Sequence, residues 1–192
     1  MKITFIKLFC LLVFVSSSLG AAAQYLPDTL RVAIGIDGGY PAGDIQGRYN
    51  AMLGASLRVD YPITKKSYIT GGIGYNNFFL GADAVTSQQA ILNVPVQMLR
   101  TMPIKIGYKY FLFSRFYVQG EVGETILLNK ADVYAINSST FTYSPQFGLI
   151  FKLKKPNNYI DTGIRYEGVS SFYNDKDKYN FWALHLSYAF NL

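Results

Sequence analysis

The 192-residue chain has very few of the residues that most active sites require. It contains one cysteine, one histidine and one tryptophan. The cysteine, Cys10, lies in an N-terminal segment that we expect to be removed. A mature chain without cysteine excludes a disulfide framework, a zinc–thiolate site and a cysteine nucleophile.

Residues 1–23 have the layout of a secretory signal peptide. Lys2 and Lys7 form a short basic start, an apolar stretch runs over 8–15, and the alanines at 21–23 provide an A-x-A cleavage site. A membrane anchor helix is the alternative, but the apolar stretch is well short of the about 20 residues needed to span a bilayer. We therefore predict a signal peptide at 1–23 and one exported domain at 24–192.

The remainder of the chain lacks an apolar run that could form a transmembrane helix. Its longest uncharged run, 133–151, carries eight polar residues or prolines, including Asn137 and Gln146. Without Lys2 and Lys7 the formal net charge of +6 falls by two. The cationic residues are dispersed along the sequence, so no nucleic-acid partner is predicted.

Apolar and polar residues instead alternate over long stretches. In 48–61 (RYNAMLGASLRVDY), every second residue from Tyr49 to Tyr61 is apolar or aromatic. The stretches 141–154, 159–172 and 180–192 (NFWALHLSYAFNL) show the same period of two, which is typical of β-strands with one apolar face.

A soluble sandwich and a membrane barrel would both give this alternation, and three features favour the barrel. The apolar faces begin and end in aromatics, the opposite faces mix small residues with charges of both signs, and short connections alternate with longer ones. The predicted membrane-interface aromatics are Tyr49, Tyr61, Trp182, Tyr188 and Phe190.

We predict an all-β fold, an eight-stranded antiparallel up-and-down transmembrane β-barrel in the outer membrane with both termini in the periplasm. Short connections would face the periplasm and longer ones would face outward. The predicted strands are 31–40, 48–61, 67–79, 102–112, 116–128, 140–153, 159–172 and 179–191.

Charged residues in the middle of the strands would project into the lumen. Eight strands leave just enough room for side chains, so opposite charges there should pair and fill the tube. An ion pathway is the functional alternative. The predicted lumen network comprises Asp37, Arg58, Asp60, Lys105, Lys109, Glu121, Glu124, Lys152, Asp161, Arg165, Glu167 and His185.

The run at 91–128 (ILNVPVQMLRTMPIKIGYKYFLFSRFYVQGEVGETILL) resembles the outer-membrane β-barrel family common in Bacteroidota that includes PorT-like proteins. The matching positions are Pro95 or Pro103, Lys109, Tyr110, Phe116, Tyr117 and Gly123. The resemblance implies an accessory role in a secretion or envelope complex. It also implies recognition of the last strand by the outer-membrane assembly machinery, through Tyr188 and Phe190, although the final residue is Leu192 rather than the commoner Phe.

Only one pair of residues suggests chemistry. His185 and Ser187 share a strand face, as the His and Ser of a lipid A deacylase could, but no acidic residue follows them. We therefore predict a non-enzymatic protein without cofactor or metal, acting structurally or by recognition through its outer loops. A small pore and a lipid-modifying enzyme are the alternatives. The expected partners are outer-membrane lipid, the assembly machinery and other envelope or secretion proteins, and the segment 80–101 is the candidate contact surface.

Overall fold

The computed structural model describes residues 29–81, 98–133, 135–154, 157–172 and 178–192. The predicted signal peptide and most of the candidate contact segment 80–101 lie outside these residues. Eight strands and one short 3₁₀ helix (Gly43–Ile45) make up the described chain. The strands are β1 (Arg31–Ala42), β2 (Tyr49–Pro62), β3 (Ser67–Leu80), β4 (Leu99–Phe111), β5 (Phe116–Leu127), β6 (Ser139–Lys152), β7 (Asn158–Val169) and β8 (Tyr179–Asn191).

The strands form a closed barrel in which each strand pairs with the next in the sequence. All pairings are antiparallel, and β8 closes the ring by pairing with β1 from Arg31↔Asn191 to Ala42↔Asn180. The predicted eight-stranded antiparallel barrel is confirmed. Most strand bounds differ from the prediction by one to three residues; β4 begins at Leu99 rather than 102.

The outer surface is apolar on every strand. One large residue from each strand, in order from β1 to β8, illustrates this, with 43–67% of its surface exposed: Ile36, Leu53, Ile73, Ile106, Val122, Phe147, Ile164 and Leu184. A soluble protein would bury such a surface, whereas the outward face of a transmembrane barrel contacts lipid. Within the described ranges, no helix is long and apolar enough to cross a membrane.

Four of the five predicted interface aromatics lie on this outer face, but Tyr49 does not. Tyr61, Trp182 and Tyr188 are 54%, 53% and 43% exposed, and Phe190 is half-buried. Tyr49 is 2% exposed and packs edge-on against Phe78 inside the barrel. The register of β2 against β3 shifts between Tyr49 and Ala51, so the side chain before the shift changes face.

Two prolines coincide with interruptions of the sheet. The β3–β4 pairing breaks beside Pro103, between Ile73↔Ile104 and Asn76↔Thr101. The β6–β7 pairing breaks in the same way beside Pro145. Proline has no backbone N–H to donate, so one ladder bond is lost at each position.

The lumen is filled by three layers between the two ends of the barrel. We call the end that holds the start of β1 and the end of β8 the termini end, and the opposite end the loop end. Charged residues occupy the middle layer. The termini-end cluster comprises Phe111, Tyr117 and Ile150, with Tyr68 and Tyr159 packed against it. The loop-end cluster comprises Ile45, Tyr49, Met52, Phe78, Leu99, Leu127, Ala135, Val169, Phe172, Tyr179, Phe181 and Ala183.

Candidate functional site

The middle layer of the lumen is a network of buried charges that no pair of neighbouring strands could build alone. Alternation turns every second residue of each strand inward, and closure brings the inward residues of β1, β2, β4, β5, β7 and β8 together. Two groups of ion pairs result.

The first group is a square of two cations and two anions near the termini end. Arg58 Nε donates to Asp60 Oδ1 at 2.9 Å, and an Arg58 Nη2–H donates to Asp161 Oδ2. Lys109 Nζ donates to Asp60 at 2.9 Å and to Asp161 at 3.0 Å. All four residues are at most 7% exposed, and their formal charges cancel.

Tyr117 connects this charge square to the termini-end cluster. Its hydroxyl donates to Asp161 Oδ1 at 2.5 Å and accepts from Gln146 Nε2 at 2.6 Å. Its ring lies 4.4 Å from Lys109 Nζ, a cation–π distance. The ring also covers Gly148 on β6, where a Cβ atom would come within 2.2 Å of it. Glycine at 148 is therefore what lets Tyr117 reach Asp161.

The second group lies toward the loop end. Lys105 Nζ is 2.8 Å from Glu167 Oε2 and 3.3 Å from Glu121 Oε2. Arg165 is 3.3 Å from Asp37 and 3.4 Å from Glu167. This group holds three carboxylates against two permanent cations, and His185 also contacts Asp37.

His185 and Ser187 both lie in the lumen, where they do not form a catalytic pair. His185 Nδ1 is 2.8 Å from Asp37 Oδ1, and because a carboxylate only accepts, this nitrogen carries the hydrogen. His185 Nε2 and Ser187 Oγ each lack a hydrogen-bond partner, so the imidazole does not activate the hydroxyl. The two residues are 3% exposed and do not reach the lipid face.

A small cavity of about 30 Å³ lies beside the second group. Its lining includes His185 and Asn76, whose Nε2 and Nδ2 atoms respectively have no partner. This volume is enough for a single water molecule. The cavity is much too small for an organic ligand.

Two residues predicted for the lumen network lie elsewhere. Glu124 is exposed because it lies two residues after the outward residue Val122, and residues two apart on a strand face the same side. Lys152 has the inward parity but is the last residue of β6, where the lumen opens, and it is also exposed. The structure pairs the remaining predicted residues with one another. Sequence reasoning missed the neutral partners Tyr117, Ser144 and Gln146, which inward parity alone could have indicated.

The mouth of the barrel at the termini end has a separate polar feature that was not predicted. The Arg31 guanidinium lies over the rings of Tyr68 and Tyr159, at 5.2 and 4.6 Å from their centroids. Its Nε donates to Asn191 Oδ1 at 3.2 Å. The residue is 7% exposed, and its Nη1 has no hydrogen-bond partner.

Among the described residues, no group of three or more histidine, cysteine, aspartate and glutamate side chains could hold a metal ion. The carboxylates of the lumen instead contact arginine, lysine and histidine side chains.

No protein-family model and no curated protein matches the chain. The resemblance to PorT-like proteins therefore stays a prediction.

Solved structures of small outer-membrane barrels do match. Neisserial surface protein A has a TM-score of 0.54 at 10% identity, with 85% of this chain and 96% of that one covered. OprG from Pseudomonas aeruginosa has a TM-score of 0.53 at 9% identity, covering 88% and 97%. The Yersinia pestis outer membrane protein Ail in a phospholipid nanodisc has a TM-score of 0.52 at 18% identity, covering 84% and 99%. At these identities the likeness concerns architecture alone, and the chain has the fold of an eight-stranded outer-membrane β-barrel.

Proposed function

We propose that the chain is a non-enzymatic outer-membrane protein that acts structurally or by recognition, with its loop end outside the cell and both termini in the periplasm. The observation that carries the proposal is the combination of a lipid-compatible outer face with a lumen filled along its length. An apolar wall requires a bilayer, and a filled lumen leaves the surfaces at the two ends as the places where partners can bind.

The filled lumen argues against a pore. An ion entering from the loop end would have to pass the twelve-residue apolar cluster. The ion would lose water molecules there, and apolar side chains cannot replace them as ligands. It would then meet side chains that are already paired, and the cavity beside them is about 30 Å³ in volume. Eight strands leave no additional width.

The loop end has features of a recognition surface. Three connections insert an apolar side chain into the loop-end cluster: Ile45 before β2, Ala135 before β6 and Phe172 after β7. Each packed side chain fixes the residue that carries it, and a fixed contact surface favours specific binding over adaptation. Neighbouring Ile136 is 68% exposed and supplies apolar contact area. A partner in an envelope or secretion complex, as the PorT-like resemblance implies, would bind here.

Orientation can be tested with single cysteines, because the predicted mature chain has none. Asp132→Cys lies in the exposed β5–β6 connection and Lys65→Cys in the exposed β2–β3 turn. A membrane-impermeant maleimide applied to intact cells should label the first and leave the second unlabelled until the outer membrane is opened. The reverse pattern would contradict the proposed orientation.

Membrane insertion and the filled lumen need separate measurements. The protein should be found in the outer-membrane fraction, and its unboiled form should migrate differently from its boiled form on a denaturing gel. A soluble periplasmic protein without that shift would contradict the barrel's location. In planar bilayers the purified protein should give no steady conductance, and reproducible open channels would contradict a filled lumen.

A further inference from the structure

The wall of the barrel carries a recess of about 370 Å³ at its loop-end edge, which the proposed function does not use. It lies where β6 begins, β7 ends and β8 begins, and its volume is in the range of small-molecule sites. The polar and aromatic side chains that line it include Asn137, Thr140, Tyr143, Ser170, Lys178 and Asn180.

The strand register places this recess on the outside of the wall. Asn180 pairs with Gly168, and Gly168 pairs with Tyr143, so the three positions lie side by side on β8, β7 and β6. Asn180 comes two residues before Trp182, and residues two apart on a strand face the same side. Trp182 and Tyr143 are 53% and 44% exposed on the outer face. The recess is therefore open to the lipid that surrounds the barrel.

Three aromatic rings border the recess on the side of the bilayer centre. Tyr143, Tyr166 and Trp182 follow one another across the wall, with ring centroids 6.2 and 5.0 Å apart. The ring of Tyr143 lies against Gly168, where a Cβ atom would come within 2.4 Å of it. Such a girdle marks the depth at which acyl chains give way to headgroups. The polar side chains beyond the girdle therefore lie at the depth of lipid headgroups.

The polar side chains of the recess are accessible, and they are of the kinds that bind sugars. Asn137, Ser170 and Lys178 are exposed, and Thr140 and Asn180 are partly buried. Amide and hydroxyl groups donate and accept hydrogen bonds, as the hydroxyls of a sugar require. The neighbouring aromatic ring offers an apolar surface for the C–H groups of a sugar ring. A choline headgroup has no hydroxyl that could use these partners.

The charge at the recess is mixed rather than purely basic. Lys178 contributes an ammonium group, which suits a phosphate. The carboxylate of Asp44 accepts a hydrogen bond from the backbone N–H of Lys178 at 3.0 Å, so an acidic group lies at the same edge. This arrangement disfavours a polyanion and suits a ligand that carries one phosphate among hydroxyls.

We infer that the recess binds the monophosphorylated sugar headgroup of a glycolipid in the surrounding leaflet. The phosphate faces Lys178. The sugar hydroxyls contact Asn137, Ser170 and Asn180, and the acyl chains lie along the apolar wall beyond the aromatic rings. That this leaflet is the outer one rests on the orientation proposed above, whereas the site itself does not depend on it.

The single tryptophan of the chain borders the recess, so its fluorescence can report which lipid lies there. In vesicles of brominated phosphatidylcholine the emission of Trp182 should be quenched, and an unbrominated lipid that binds the recess should restore it. The probe is a monophosphorylated, acylated glucosamine disaccharide, compared with the same glycolipid without phosphate and with phosphatidylglycerol. The phosphorylated glycolipid should restore emission at a several-fold lower mole fraction than either comparison lipid.

Two results with these lipids would overturn the proposal. Equal action of phosphatidylglycerol would mean that negative charge alone explains the binding. Equal action of the phosphate-free glycolipid would mean that the recess does not recognise the phosphate. Both leaflets of the vesicles have the same composition, so the orientation of the barrel plays no part. Failure here is therefore distinguishable from failure of the proposed function, which the maleimide labelling and the conductance measurement test.

Variants locate the site on the molecule. Lys178→Gln should abolish the preference for the phosphorylated glycolipid over its phosphate-free form, because it removes the ammonium group. Asn137→Ala with Ser170→Ala should weaken the binding of both glycolipids several-fold and leave phosphatidylglycerol unaffected. The matched control, Arg100→Gln, removes the same charge from an exposed residue of β4, across the barrel from β8, and should leave the binding unchanged.

An equal loss in the Arg100 control, or an undiminished preference in Lys178→Gln, would overturn the site. The gel shift of the unboiled protein checks that each variant forms the barrel. The Asn137 and Ser170 pair keeps the test decisive if Lys178→Gln does not fold.

Discussion

At the scale of single residues, Asp161 is one of the most connected members of the lumen network. It is 0% exposed and accepts hydrogen bonds from Arg58, Lys109 and Tyr117, which come from three different strands. Each of these donors offsets part of the cost of burying the carboxylate.

Asp161→Asn should therefore destabilise the barrel strongly. The substitution leaves two buried cations facing the single carboxylate of Asp60, and breaking a buried pair from one side costs about 3 to 5 kcal/mol. Denaturant unfolding in lipid vesicles gives the free energy of unfolding. Glu124→Gln, which removes an exposed carboxylate, is the control and should change it little.

A double variant separates the effect of charge balance on stability from the effect of losing contacts. Lys109→Met combined with Asp161→Asn removes one charge of each sign, leaving Arg58 paired with Asp60. The double variant should lose less stability than the two single variants summed. Strict additivity would show that the square is not coupled.

Gly148→Ala tests the position of Tyr117. The added methyl would lie 2.2 Å from the ring, so the tyrosine must move away from Asp161 at a cost of about 1 to 3 kcal/mol. Gly71→Ala is the matched control, because a Cβ there meets nothing within 4 Å. If both variants unfold at the same denaturant concentration, the close approach is unimportant.

At the scale of the strands, the period of two predicts nearly everything about which side chains face inward. It places Arg58, Lys105, Lys109, Asp161 and Glu167 in the lumen, and the structure has them there. The period does not predict which charged residues pair with each other, because each ion pair depends on the register of the strands around the closed barrel. The shared parity of Glu124 and Val122 was already visible in the sequence.

The errors have local physical causes. The register shift in β2 turns the side chain of Tyr49 to the opposite face of the strand. The residue types around Tyr49 do not indicate that shift. Lys152 lies where the wall ends, and the height of the wall follows from the tilt and stagger of the strands rather than from their pattern. The described residues of the turns at the termini end include four cations, Lys65, Lys66, Arg115 and Lys154, which are far apart in the sequence. Only the up-and-down topology gathers them at one mouth.

The contrast between two tyrosines of β2 tests this reversal. Tyr49→Ala should cost about 3 to 5 kcal/mol, because a packed ring is removed from the loop-end cluster. Tyr61→Ala, on the outer face, should cost about 1 kcal/mol or less. Unfolding free energies of the two variants in the same lipid provide the measurement. A larger loss for Tyr61 would contradict the assignment of faces.

At the scale of the whole molecule, the chain carries one tryptophan, and it reports directly on the outer surface. Trp182 is 53% exposed and packs against Tyr166 at 5.0 Å on the outer face of β7 and β8. The aromatic pair lies toward the loop end, where interfacial girdles of membrane barrels occur.

Trp182 fluorescence should be quenched by brominated lipid and protected from aqueous iodide. Bromines near the headgroup should quench more than bromines near the bilayer centre, because the ring lies toward one end of the wall. Trp182→Phe provides the background, which should be free of tryptophan emission. Strong iodide quenching without lipid quenching would contradict membrane contact at this face.

The ion pairs of the lumen also bear on how the barrel enters the membrane. Arg58 on β2 pairs with Asp161 on β7, and Lys105 on β4 pairs with Glu167 on β7, so these contacts join strands that are not neighbours in the sheet. A sheet that is still open holds the same charges without their partners, and the bilayer excludes them. Partly inserted intermediates are therefore disfavoured, and insertion and closure should occur as one concerted event. The network that fills the tube therefore favours the closed barrel over an open sheet in the bilayer.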